Sequence, residues 1–405
     1  MSKAALARLL TVVCLVGIGL AAFGTGTARA ECGEEEGTDI AFQRSGKLLV
    51  ALCGPRQQAA VLRLDRAGLL DASFAGDGSL GPWPSNFPPH LAVTAQGKLL
   101  VQMSLGKGKR RRVVLRRFSA AGKLDRSFAS GNASVPTEES SPREIHVFSQ
   151  PQGTTVVAYY GEFDGCFGGD CAERTNYLQR YRYSATGKRI TEANYYTEYW
   201  GLSNITMAPD GDLLVAGGNL EYGTITYLRT KPDLKPLAAR KVPEEFASGR
   251  SEILAGPGRS LLISGVKGGI GLYRADWSLD EAFGEAGFVR CGPAGAILTP
   301  VTSLPSGGFL AKGNSAECGL MLYEADGRLD PTFGSGGSVD LEALGLLPSR
   351  YRMESVAVGP AGQIAIAFGD QDKPIVRIFC FSADGQLETG FGSDGVVAVR
   401  NFTPA

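Results

Sequence analysis

The chain of 405 residues has only two histidines, three tryptophans and five methionines. No Cys-x-x-Cys pair occurs, so a histidine- or cysteine-based metal centre has almost no raw material. Nothing matches a Gly-x-Ser-x-Gly elbow, a Walker loop, a dinucleotide fingerprint, a His-Glu-x-x-His helix or an EF-hand loop. Lys plus Arg and Asp plus Glu both number 41, for a formal net charge of zero. That balance excludes a global pull toward nucleic acid or an anionic membrane. Past the first thirty residues no run is apolar enough to span a bilayer. No cofactor, metal or nucleic-acid partner is expected.

What is present begins with a leader. Lys3 and Arg8 precede an apolar run from Leu9 to Ala22, and Ala28-Arg29-Ala30 has the small residues of a cleavage site. Residues 1–30 therefore read as a cleaved signal peptide, and 31–405 as one exported, extracellular or surface-associated domain. Cys32 lies one residue beyond the position that lipidation needs. Seven cysteines remain after cleavage, as suits an oxidising compartment. Cys166–Cys171 is the first expected bridge, because its loop is short and holds two glycines. Cys32–Cys53 and Cys291–Cys318 are further candidates, and Cys380 is left as a thiol in an apolar strand.

The 55 glycines recur in a pattern. A glycine precedes a short apolar strand in Gly46-Lys47-Leu48-Leu49-Val50, Gly97-Lys98-Leu99-Leu100-Val101, Gly153-Thr154-Thr155-Val156-Val157 and Gly211-Asp212-Leu213-Leu214-Val215. Arg259-Ser260-Leu261-Leu262-Ile263, Gly307-Gly308-Phe309-Leu310-Ala311 and Gly362-Gln363-Ile364-Ala365-Ile366 complete seven copies. The interval averages about 53 residues. An alternating segment such as His90-Leu91-Ala92-Val93 precedes each glycine, and a third strand such as Val114-Leu115-Arg116-Arg117-Phe118 follows.

A signature then closes most units: Leu70-Asp71-Ala72-Ser73-Phe74, Leu124-Asp125-Arg126-Ser127-Phe128, Leu279-Asp280-Glu281-Ala282-Phe283, Leu329-Asp330-Pro331-Thr332-Phe333 and Leu387-Glu388-Thr389-Gly390-Phe391. The carboxylate can accept backbone N–H bonds and hold a turn. The phenylalanine is an apolar plug. Gly78, Gly287, Gly337 and Gly395 then allow a reversal before a fourth strand. Units three and four lack the signature but keep their strands.

The run from Ala325 to Gly337, Ala-Asp-Gly-Arg-Leu-Asp-Pro-Thr-Phe-Gly-Ser-Gly-Gly, resembles the delta-60 repeat of bacterial exported proteins. The likeness covers most of 38–400 and is strongest in units one, two, five, six and seven. It implies a β-propeller and no particular activity. The arginine usual before the turn is kept as Arg63, Arg117 and Arg182, and replaced by Leu272, Leu322 and Cys380. The expected fold is all-β, a seven-bladed β-propeller of four-stranded blades. A β-solenoid would have much shorter turns. The chain begins near a first strand and ends near a fourth, so the ring should close in phase, without an exchanged strand.

Both histidines fall seven residues before their glycine. His90 and His146 share that slot with Asp39, Asn204, Glu252 and Ser355, and unit six has Pro300 there. With the first strand innermost, this column would ring the channel mouth as a ligand site, although polar strand ends alone would produce it. Crossover segments add Trp83, Arg143, Trp200, Arg250, Tyr351 and Arg352, residue types common in binding anchors and equally suited to plugging gaps. Lys107, Lys109, Arg110, Arg111 and Arg112 form one basic hairpin, either a grip for an anionic polymer or a solvated tip. The functional expectation is a monomeric binding or scaffolding module for an extracellular glycan or protein. A glycan-active lyase or hydrolase at the channel mouth, with a carboxylate pair such as Asp39 and Glu252, is the alternative. A structural piece of a surface assembly is a third.

Overall fold

In a computed structural model of the chain, the described residues are 38–54, 58–85, 89–105, 112–135, 144–150, 153–161, 175–198, 201–208, 210–219, 224–231, 236–243, 252–266, 269–292, 297–304, 306–313, 318–346, 351–370 and 375–400. They form seven four-stranded antiparallel sheets, each from four consecutive strands. Blade 1 comprises Asp39–Phe42, Leu48–Gly54, Gln58–Leu64 and Ser79–Pro84. Blade 7 comprises Tyr351–Val358, Ile364–Asp370, Ile375–Phe381 and Val396–Arg400. The molecule is a seven-bladed β-propeller. First strands of neighbouring blades lie against one another at five of the seven seams, including that of blades 7 and 1. They therefore line the centre, and no strand is exchanged at closure.

Cores lie between blades. Leu48, Val50 and Leu64 of blade 1 pack with Ala365, Ile378 and Phe391 of blade 7. Alternation explains this: each strand offers one face to each neighbour, so both faces must be apolar. The signature phenylalanines fill these seams. Phe74 lies with residues of blades 1 and 2, Phe128 with 2 and 3, Phe283 with 5 and 6, and Phe333 with 6 and 7. All four are essentially inaccessible.

The residue after each phenylalanine makes a second link. The amides of Ala75, Ala129, Gly284, Gly334 and Gly392 donate to Ala121, Thr186, Asp326, Asp384 and Ala67 carbonyls of the next blade, at 2.6–2.9 Å. The last of these, from blade 7 to blade 1, repeats the others and closes the ring. The accepting turn needs its glycine for two reasons. Gly327 has φ +87, and a Cβ there would stand 2.8 Å from the Gly284 nitrogen, inside the latch.

In blade 3 the third strand, Thr175–Tyr183, turns directly into a long fourth strand, Arg189–Glu198. Blade 4 does the same, with Thr224–Thr230 leading to Pro236–Pro243. Elsewhere the signature interrupts this hairpin after one isolated bridge, such as Tyr323 with Leu329. Losing the signature therefore lengthens the outer strand and removes the latch.

Candidate functional site

Strand register puts the slot residues on one level. Asp39 pairs with Ala51, His90 with Gln102, His146 with Val157, Asn204 with Ala216 and Ser355 with Ala367. Glu252 joins them through its carbonyl, which accepts from the Ser264 amide at 3.0 Å. A register irregularity offsets Pro300. Asp39 and His90 open their first strands and Glu252 directly precedes its own, whereas His146, Pro300, Asn204 and Ser355 stand third to fifth in strands that begin earlier.

Three of these residues lace neighbouring blades together. Asp39 Oδ2 accepts from the Leu91 amide at 2.7 Å. Asn204 Oδ1 accepts from the Ile253 amide at 3.4 Å, and Ser355 Oγ from the Ile40 amide at 3.3 Å. Ser355 Oγ also donates to Asp39 Oδ1 at 3.1 Å. The slot is polar because the first strands are too far apart for a ladder, so side chains satisfy their inward amides.

An arc over four consecutive blades results. Ser355 of blade 7 bonds Asp39 of blade 1, and His90 of blade 2 brings Nδ1 to 3.8 Å from Asp39 Oδ2. The His90 and His146 rings stack with centroids 5.8 Å apart, and His146 stacks on Phe148 at 6.3 Å. His90 keeps 37% side-chain exposure and Asp39 25%, so the arc faces solvent while anchored behind. Glu252 lies on blade 5, with two blades between it and blade 1 one way round the ring and three the other, so no adjacent carboxylate pair forms from these two. No cluster of three or more metal-ligating side chains occurs among the described residues.

The aromatic and basic candidates divide. Trp83 is partly buried against Phe118 of blade 2, in the seam between blades 1 and 2. Tyr351 is buried, with the Arg377 guanidinium 5.1 Å from its ring centre. Both are plugs. Arg352 lies in the first strand of blade 7, paired with Gly369. Arg112 is exposed at the start of a third strand. Arg143, Trp200, Arg250, Lys107, Lys109, Arg110, Arg111 and the Cys166–Cys171 pair lie outside the described residues, as do residues 1–37. Cys291 is bonded to Cys318, stapling blade 5 to blade 6. Cys53 also stands in a disulfide. Cys380 is a buried thiol, pushed up to about 11 by burial and by Glu388.

The arginine before the turn has a structural task. Arg63 Nε donates to Asp71 at 2.8 Å, and its Nη1 to the Ala120 carbonyl of blade 2 at 2.5 Å. Its guanidinium lies 4.6 Å from the Phe74 ring centre. Arg117 repeats each contact with Asp125, Ala185 and Phe128. Hydrogen bonds from Lys98 and Ser127 hold the Asp125 carboxyl well below its ordinary value of 3.8. For Asp71, burial pushes upward, but the bonds from Lys47 and Ser73 and the Arg63 charge outweigh it. Arg229, which the spacing pattern did not single out, does this work in blade 4. It binds Asp212 at 2.7 Å, Asp210 at 2.8 Å and the Arg259 carbonyl of blade 5 at 3.0 Å. Its signal was alignment of third strands rather than of signatures.

No protein-family model and no curated protein matches the chain. Among solved structures, the Dos1 propeller aligns over 88% of this chain and 79% of its own at 11% identity, with a TM-score of 0.50. A quinonprotein alcohol dehydrogenase-like protein from Bacteroides thetaiotaomicron aligns over 89% and 85% at 12% identity and 0.44. An alpha-L-arabinofuranosidase from Fusarium graminearum aligns over 91% and 93% at 10% identity and 0.40. The likeness to the first is one of fold alone, and none of them transfers a ligand or a reaction.

Proposed function

We propose that this chain is an exported β-propeller of the delta-60 repeat kind that binds an extracellular glycan at its channel mouth. The carrying observation is the arc from Ser355 through Asp39 and His90 to His146. The repeated residues are spent on joining blades, so ligand choice falls to positions that differ from blade to blade. Those at the mouth do differ, and the arc offers stacked flat rings beside an oriented carboxylate. Flat rings with a few placed polar groups suit a sugar face and its hydroxyls. The Cys291–Cys318 bridge supports an oxidising destination.

The test is a printed glycan array probed with the purified protein and with a His90→Ala/His146→Ala variant. The expected result is retention of one glycan class, weakened at least about tenfold in the variant, with an unchanged thermal midpoint. Release of cleaved product from the bound glycan would make the site an enzyme's. No glycan retained, or equal retention by the variant, overturns the reading.

A further inference from the structure

The opposite face of the ring consists of the turns joining strands one to two and three to four. Its charge is not evenly spread. In blades 1–3 these turns (43–47, 65–78, 94–98, 119–132 and 184–188) carry seven Lys or Arg against four Asp or Glu. In blades 5–7 (256–260, 274–287, 306–308, 324–337, 359–363 and 382–395) they carry three against ten. Two of the four acids on the basic side, Asp71 and Asp125, are already paired inward with lysine and arginine. Exposed Arg66, Lys123 and Lys188 mark the basic arc, and exposed Glu281, Glu285 and Glu388 the acidic one. A chain of zero net charge thus presents one face with opposite signs on opposite halves.

The same face is apolar as well. Leu69, Leu70, Leu124, Ile190 and Leu329 are the large hydrophobic side chains most exposed among the described residues. Leu69, Leu70, Leu124 and Leu329 stand in the turns of this face and Ile190 is the second residue of the strand that follows one, with Leu69 at 63% and Ile190 at 52% exposure. These side chains add apolar area to a face whose charge is already divided.

We infer that this face docks a second copy of the chain, face to face about a two-fold axis. Such an axis lies in the plane of the face and passes by blade 4. It lays blade 1 on the partner's blade 7, blade 2 on its blade 6 and blade 3 on its blade 5. Basic arcs then meet acidic arcs twice, and blade 4 meets its own copy. An isologous interface requires this self-complementarity, and matched potentials set register and encounter rate. The pairing replaces the monomer expected above. It leaves both channel mouths pointing outward, so a dimer would present two sites on opposite sides.

The experiment is sedimentation velocity on the full chain, expressed with its own N-terminal segment and recovered as processed. Dimers are expected at low salt, with the dissociation constant weakened about tenfold or more at high salt as charges are screened. A Glu281→Lys/Glu285→Lys/Glu388→Lys variant and a Lys123→Glu/Arg126→Glu/Lys188→Glu variant should each sediment as monomers. Mixed, they should form a one-to-one heterodimer, which also shows that both are folded. A monomeric parent at every concentration, or variants that dimerise like the parent, overturns the inference.

Discussion

At the scale of single residues, the signature carboxylates join charge to architecture. Asp125 accepts from Lys98 at 2.6 Å and Arg117 at 2.9 Å while nearly buried. Replacing it with alanine leaves both cations facing a vacant site beside an apolar seam. Asp125→Ala should cost about 2–4 kcal/mol in a denaturant titration. The pH sign follows from its depressed carboxyl, shared by Asp71 and by Asp330, whose bond from Thr332 lowers it. A carboxyl held below its unfolded value stabilises fully above that value. The contribution is lost as protons reach the folded state, so the thermal midpoint should fall steadily from about pH 5 to pH 2. Asp125→Asn should flatten that slope; an unaltered slope would remove Asp125 from the account.

At the scale of blades, the latches are unequal. Five seams have a signature phenylalanine and a backbone bond to the next blade. The seam between blades 3 and 4 instead has a small core of Leu178, Ile205, Leu213, Val215 and Leu228. It also buries Arg180, which donates to the Lys231 and Gly211 carbonyls at 3.1 Å each. A buried guanidinium is costly to desolvate and gives less than the apolar area it replaces. Blade 4 should therefore open first. In native-state hydrogen exchange, peptides within 201–243 should exchange about tenfold faster than those within 351–400. Uniform protection would mean the polar substitutes latch as well as the aromatic ones. Gly327→Ala puts a side chain at φ +87 and into the Gly284 amide. It should destabilise by more than about 1 kcal/mol, because conformation and contact both oppose it.

At the scale of the whole ring, stability is a chain of neighbour contacts closed on itself, so one weakened seam need not open the others. The Cys291–Cys318 staple spans two blades that already have a phenylalanine latch. Cys291→Ser/Cys318→Ser should cost about 2–4 kcal/mol in a denaturant titration under oxidising conditions. Under reducing conditions the variant and the parent should converge. Persistence of the difference there would assign the loss to packing rather than to the bridge.

The sequence by itself determined the repeat, the four strands per unit and the structural nature of the signature. These rest on local chemistry: alternation is set by the two-residue strand period, glycine by positive φ, and aspartate by its own turn. Counting back from the glycine even put His90, His146, Asp39, Asn204 and Ser355 on their common level, because strand length is local too. Only the tertiary structure decided what those residues touch. That Asp39 holds the Leu91 amide, that Arg229 replaces a lost latch, and that Trp83 fills a seam depend on which blade lies alongside. The sign of the opposite face also belongs to the ring, since charges hundreds of residues apart sum on one surface only after closure. Local periodicity is written in neighbouring residues, whereas a partner across a seam is chosen by the closure of seven blades into a circle.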